Sequence, residues 1–174
     1  MRVYLSGKMS NRYVEDVKSE RKRATDELSK YGIKAVDPAA AEAALWGSHK
    51  KARISTKFNR RIMTAMVDKD LFLIRRSDAL LYLTGDVVSE GSLLEVAFAQ
   101  QIKIPVIMVA PERYYERWMG WVNIFVPKDH TFIDIKSAVR FINRKYKKTY
   151  EKNKIYFDQA IKKAITLTDK KRKK

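Results

Sequence analysis

The sequence predicts an α/β protein: a five-stranded parallel sheet with helices on both faces. Two observations carry that expectation. Short apolar runs alternate along the chain with longer segments of helical spacing, the pattern of parallel strands joined by crossover helices. One of the runs, residues 104–109 (IPVIMV), is apolar almost throughout, as a central parallel strand covered on two faces must be.

Taken in order, residues 3–6 (VYLS) form the first strand, and Gly7 then lets the backbone turn into Lys8. A polar helix is expected over residues 11–31, with Val14, Val17, Ala24 and Leu28 as its single apolar stripe and Gly32 just past its end. Residues 33–36 make the second strand, stopped by Asp37-Pro38. The alanine-rich segment up to Trp46 reads as a short helix, and residues 47–53 (GSHKKAR) as a loop. Helical spacing returns over residues 54–76 through Phe58, Ile62, Met66 and Leu73, with a break expected near Asp68. Residues 78–83 are the third strand and 92–101 the helix after it; 104–109 are the fourth strand. An aromatic segment runs from Pro111 to Trp121, followed by a fifth strand at 123–126. The last element is helical from about residue 133 and continues, with a break, to Leu167.

Five such strands suit the flavodoxin-like or Rossmann-like order 2-1-3-4-5, whose ligand crevice opens between the carboxyl ends of strands 1 and 3. That crevice would gather Tyr4, Ser6 and Lys8 with Ser89, Gly91, Ser92 and Glu95. Residues 1–139 are expected to form the α/β domain, and 140–174 a basic helical extension and tail.

At 174 residues and 45% apolar content the chain has the length and composition of one globular domain. No apolar run reaches the roughly 18 residues needed to cross a bilayer. The first residues enter structure with no signal-like segment, so a cytoplasmic protein without membrane contact is expected. There is no cysteine, and the two histidines, His49 and His130, are not spaced as metal ligands, so neither metal nor cofactor is expected. The formal net charge of +17 is uneven. From Arg140 onward, 14 Lys and Arg face three acids, leaving only +6 on the first 139 residues. Such an end can bind nucleic acid non-specifically or simply aid solubility.

The chemistry of the crevice turns on Glu95. Ser92-x-x-Glu95 has the spacing of a capping box, in which serine and glutamate satisfy each other's backbone donors. The alternative is a nucleophile or base. Leu93, Leu94, Val96, Ala97, Phe98 and Ala99 surround Glu95 with apolar groups, and burial disfavours a charged carboxylate. Asp70 reads either as a solvated helix-face acid or as part of the site, and Lys8 as a surface charge or a phosphate contact. The Ser6-Gly7-Lys8 loop is not a Walker A motif, because Arg2 stands where that motif needs its first glycine. No GxGxxG fingerprint occurs either.

Tyr4-Leu5-Ser6-Gly7, Asp70-Leu71, Ser77-Asp78-Ala79 and Ser89-Glu90-Gly91-Ser92-Leu93-Leu94-Glu95, in that order, resemble the nucleoside 2-deoxyribosyltransferase family, which includes the 2′-deoxynucleoside 5′-monophosphate N-glycosidases. The resemblance spans roughly residues 1–126; the segment 38–53 and the C-terminal region do not match. It implies that Glu95 is the nucleophile at C1′ of the deoxyribose. By the same resemblance Asp70 is the acid that protonates the departing base, and Tyr4 orients the nucleophile. Gly91 and Ser92 match the loop before the nucleophile, and with Ser6, Gly7, Lys8 and Ser89 at the same predicted crevice they are the expected substrate-binding residues. Many transferases of the family carry an aspartate six residues before the nucleophile to hold the 5′-hydroxyl. Here that position is Ser89, which can donate to a 5′-phosphate where a carboxylate would repel it. Glu90 counts mildly against a phosphate, and the Ser6-Gly7-Lys8 loop has less glycine and arginine than some phosphate-binding members.

The resemblance therefore implies cleavage of the N-glycosidic bond of a deoxynucleoside or its 5′-monophosphate through a glycosyl-enzyme intermediate, with water or a second base as acceptor. Hydrolysis of the monophosphate is preferred to base exchange. It also implies a homodimer, for which the aromatic segment with Tyr114, Tyr115, Trp118 and Trp121 offers an interface, a core or a lid. The alternative from another class is a non-catalytic nucleotide- or nucleic-acid-binding module relying on the basic C-terminal region. A phosphoribohydrolase-like reading ranks below both, since its paired-glycine loop is missing.

Overall fold

The computed structural model describes residues 1–9, 11–42, 60–84, 89–111, 124–155 and 158–159. Its strands are β1 (Arg2–Gly7), β2 (Lys34–Val36), β3 (Ala79–Leu83), β4 (Val106–Val109) and β5 (Thr131–Phe132). All pair in parallel, in the expected order β2-β1-β3-β4-β5. The helices are α1 (Val14–Ser29), α2 (Pro38–Glu42), α3 (Arg60–Arg75), α4 (Glu90–Gln101) and α5 (Ile135–Ile142).

Strand periodicity divides the core in two. Val3, Leu5, Leu81, Leu83, Ile107 and Val109 pack with Ala24 and Leu28 of α1 and Ala138, Val139 and Ile142 of α5. Tyr4, Leu80, Tyr82, Val106 and Met108 point the other way, towards Ile74 of α3 and Val96 and Ala99 of α4. Central strands covered on both sides must be apolar at every position, which is why β3 reads ALLYL and β4 VIMV. Asp78 locks the start of this arrangement: its carboxylate accepts from the Arg2 N–H at 2.6 Å, and its own N–H donates to the Arg2 carbonyl at 2.8 Å.

The expected stripe of α1 is buried as predicted, at Val14, Val17, Ala24 and Leu28. The helix starts later than expected, because Asn11 adopts φ +61° in the preceding turn. It ends as expected at Gly32, whose φ of +64° lets the Ile33 N–H reach back to the Leu28 carbonyl at 3.1 Å. α3 is continuous through Asp68, where a break was expected. Asp68 is exposed, so its charge stays in water and nothing there interrupts the helix. The expected helical start at 54–59, with Phe58, lies outside the described residues. So do Trp46, the loop 47–53 and the aromatic segment from 112 to 123.

The fifth strand is a correction. Residues 124–126 form a turn in which Ile124 is 68% exposed while Val126 is buried in the core. The Phe125 carbonyl accepts from the Gln100 side-chain amide instead of joining a ladder. An apolar triplet ahead of Pro127 served as a plug, and the actual strand, Thr131–Phe132, pairs with Met108 and Val109. The last helix begins at Ile135 rather than 133, because Asp134 caps it by accepting from the Ser137 N–H and hydroxyl, both at 2.8 Å. Its expected break is a π turn, Asn143–Lys147, after which residues 148–155 are again α-helical. Phe141 and Ile142 bury in the same core as Val139, so the packing of the domain runs past residue 139. Among the described residues no helix is long and apolar enough to cross a membrane.

Candidate active site

The parallel order brings the carboxyl ends of β1 and β3 side by side, with α4 lying over them. Gly7 is what permits the close fit. A Cβ there would stand 2.7 Å from the Leu83 carbonyl oxygen, a backbone atom that cannot swing aside.

α4 does not begin as a Ser92–Glu95 capping box. Ser89 is its N-cap, with its hydroxyl oxygen accepting from the Ser92 N–H at 3.4 Å, and the first turn starts at Glu90. Serine stands at both positions, and spacing alone favours Ser92. One turn further on, Glu95 points at the sheet. Its Oε1 accepts from the Tyr4 hydroxyl at 2.7 Å and its Oε2 from the Ser6 hydroxyl at 2.5 Å. Tyr4 and Ser6 are two apart on β1, so both project from one face, and both are fully buried. The structure thus commits Ser6, expected in a phosphate loop, to the carboxylate.

The electrostatics follow from burial. Desolvation pushes the Glu95 carboxyl up to about 7; the Ser6 and Tyr4 hydrogen bonds act against that rise, Asp70 adds to it, and the positive charge of Arg21 opposes it. Burial, and then the negative charges of Glu95 and Asp70, hold the Tyr4 phenol far above its ordinary value, so it remains a donor. Tyr82 is pushed up to about 12 by burial and by Glu95. Asp70 acts electrostatically on both Tyr4 and Glu95, which ties it to this end of the sheet; its side chain is largely buried and pairs with Lys69 at 3.2 Å.

Arg21 belongs to the site and was not expected there. It occupies the apolar stripe of α1, four residues after Val17, and is only 4% exposed. Its guanidinium donates to the Leu5 carbonyl at 2.8 Å and the Gly7 carbonyl at 3.2 Å, gripping the strand on either side of Ser6. Asp37, at the end of β2, supplies the countercharge at 2.8 Å. The signal was present in the sequence as an arginine at stripe spacing, but a single polar residue on a helix is ordinarily solvated. Of the remaining expected residues, Lys8 is half-buried and its carbonyl accepts from Arg12 at 3.3 Å. Gly91 is exposed and Ser92 buried in the first turn of α4. His130 lies elsewhere, with Nδ1 3.0 Å from the Val106 carbonyl and Nε2 3.0 Å from both Lys145 Nζ and the Tyr146 hydroxyl. His49 is outside the described residues.

Among the described residues the Glu95 carboxylate is held by two neutral hydroxyls and touches no cation, so it is oriented by them without being neutralised by them. That arrangement suits a nucleophile better than a structural ion pair.

No protein-family model and no curated protein matches the sequence. Solved structures do. A 2-deoxyribosyltransferase from the psychrotolerant bacterium Bacillus psychrosaccharolyticus superposes over 80% of this chain and 90% of its own, at 18% identity and a TM-score of 0.56. BlsM superposes over 82% of this chain and 86% of its own, at 18% identity and a TM-score of 0.57. A CMP N-glycosidase from Clostridium botulinum, BcmB, overlaps more loosely, at 14% identity and a TM-score of 0.46, over 82% of this chain and 98% of its own. The fold is a Rossmann-like α/β fold with an all-parallel sheet. More narrowly, it is the fold shared by the Bacillus psychrosaccharolyticus 2-deoxyribosyltransferase and by BlsM.

Proposed function

We propose that this protein cleaves the N-glycosidic bond of a 2′-deoxynucleoside 5′-monophosphate, or of the deoxynucleoside, through a covalent intermediate on Glu95. The observation that carries the reading is the Glu95 carboxylate, held by Tyr4 and Ser6 at the carboxyl end of the sheet in a setting that keeps it near its ionisation point at neutral pH.

In the proposed reaction a Glu95 oxygen bonds to C1′ as the C1′–N bond breaks. The bonding pair leaves with the base, which takes a proton from Asp70 once that carboxylate, paired with Lys69 in the free protein, has been protonated from solvent. Tyr4 and Ser6 keep the attacking carboxylate aimed. Water then attacks C1′, giving its proton to the Asp70 carboxylate, and the C1′–O bond to Glu95 breaks, so Glu95 is again a carboxylate and Asp70 again protonated. A second base in place of water gives transfer.

Three features favour a 5′-phosphate. The amino end of α4 carries the positive end of the helix dipole. Ser89 accepts from Ser92 and so keeps its own O–H for an anion. Lys8 follows the end of β1 at the same edge. The reading also includes a homodimer. Met63 and Phe72 on α3, the helix that carries Asp70, and Leu94 on α4 are large apolar residues left in water.

Incubation with a panel of deoxynucleosides and their monophosphates, with and without a free acceptor base, is expected to release base from the monophosphates. Mass spectrometry of the quenched enzyme is expected to find the sugar phosphate on the α4 peptide. No release from any member of the panel, or undiminished release by Glu95→Ala, overturns the proposal.

A further inference from the structure

The helical segment that starts at Ile135 has one side packed as far as Tyr146 and a charged side away from it, and residues 148–155 are exposed all round. Ala138, Val139 and Ile142 are buried and Tyr146 partly so. Away from them, Lys136, Arg140, Arg144, Lys148 and Lys152 are all exposed. The ion pairs of this region belong to neighbouring positions: Lys145 with Asp129 at 3.4 Å and Lys147 with Glu151 at 3.1 Å. Among the described residues Arg140, Arg144, Lys148 and Lys152 make no ion pair, so these charges are not cancelled locally; Lys136 stands near Asp134.

These five cations recur every fourth residue, and in an uninterrupted α-helix that spacing does not keep to one side. At about 100° per residue each step drifts by about 40°, and five positions sweep about 160°. The π turn at Asn143–Lys147 falls in the middle of the row. It takes one extra residue into a turn and so rotates everything after it back by about 100°. Lys148 and Lys152 are thereby returned to the side of Lys136 and Arg140. The result is a row about 24 Å long kept within a sector of about 80°, half the sweep of an uninterrupted helix, with a charge at roughly every 6 Å of helix rise.

We propose that this row is a docking surface for the phosphate backbone of a nucleic acid, and that the π turn is the device that aligns it. A linear polyanion carrying a charge at every few ångströms is the partner that such spacing complements. A membrane surface fits less well. Entry into a bilayer needs an apolar face beside the charges, whereas among the described residues the exposed large apolar side chains here, Ile133, Tyr150 and Ile155, stand singly along the segment. The inference is independent of the chemistry at Glu95.

The test uses the full chain, fluorescence anisotropy with a labelled DNA strand and its duplex, and sedimentation with phosphatidylserine vesicles, across a salt series. Arg144→Gln/Lys148→Gln is expected to flatten the salt dependence of nucleic-acid affinity by about 1.5 to 2 in log–log slope. The decisive variant exchanges neighbours: Lys148→Thr/Thr149→Lys/Lys152→Asn/Asn153→Lys. Composition and net charge are unchanged, but two cations turn off the row, and affinity should fall about as far as in the double neutralisation. Circular dichroism checks the helix; if the exchange variant is unfolded, the slope of the double neutralisation decides. Wild-type affinity in the folded exchange variant, an unchanged slope in the glutamine variant, or wild-type binding to vesicles but to neither DNA, overturns the proposal.

Discussion

α1 and α3 are both helices of 16 residues, and they flank opposite faces of the same sheet. α1 buries Val14, Val17, Arg21, Ala24 and Leu28; α3 buries Ile74 alone. Along the first three turns of α3 nearly every side chain meets water, Met63 included at 44% exposure, and Phe72 further on is 54% exposed. The α1 face is the anchor: it fastens the carboxyl end of β1 through Arg21 and carries no group that touches Glu95. The α3/α4 face bears the acids. On the proposed function, stability and chemistry are allotted to different faces, and the first three turns of α3 are left short of packing.

That division is most easily broken by cutting an equivalent side chain from each helix. Leu28→Ala should cost about 2 to 5 kcal/mol of unfolding free energy, as expected for a fully enclosed leucine. Phe72→Ala should change it by less than about 0.5 kcal/mol in the monomer. If α3 covers a second copy, Phe72→Asp should leave the monomer folded and abolish the dimer in light scattering. Equal costs of Leu28→Ala and Phe72→Ala by urea titration would erase the distinction between the faces.

The anchoring face was also the more legible one. The stripe of α1, the runs of β1, β3 and β4, and the strand order follow from periodicity, because a buried position admits few residue types. Topology alone places Tyr4 and Glu95 at one crevice, the resemblance supplies their roles and adds Asp70, and the geometry links Glu95 to Tyr4 directly. What could not be read was set by tertiary contact. A strand of two half-buried residues, Thr131–Phe132, has no period to detect. Spacing favours Ser92 as the cap, with Glu95 as its capping-box partner, until the sheet draws the Glu95 carboxylate to Tyr4 and Ser6 and leaves the capping to Ser89. Arg21 looks solvated until Asp37 and two strand carbonyls are found around it.

The α3/α4 face also gives up stability at Glu95. Glu95 has its carboxyl raised from 4.5 to about 7, so the folded state binds that proton more tightly than the unfolded chain does. Its contribution is therefore fully present below about 4.5 and is lost as pH rises through about 7. Glu95→Gln has no charge to bury. Its advantage over wild type should grow between pH 5 and pH 8 by up to roughly 3 kcal/mol. Thermal melts at the two pH values measure this directly, and a gap independent of pH would mean that the carboxylate is not strained by burial.

The smallest effect asks whether the anchor reaches across the sheet to the chemistry. Groups facing Glu95 are Tyr4 and Ser6 from β1, Tyr82 from β3 and Asp70 from α3, with Arg21 acting from beneath β1. Asp70 raises the carboxyl and Arg21 lowers it. Arg21→Gln keeps a donor for the Leu5 or Gly7 carbonyl but removes the charge, so Glu95 should ionise at higher pH. Activity that depends on the ionised carboxylate then appears later on the alkaline side, a shift of less than about one pH unit because the charge acts at a distance. Arg21→Lys keeps the charge and loses the fork that spans both carbonyls. It should leave the pH midpoint near wild type while lowering the rate at the plateau. If instead both variants reduce the rate equally at every pH, Arg21 serves only to hold the strand, and the two faces are coupled by packing rather than by charge.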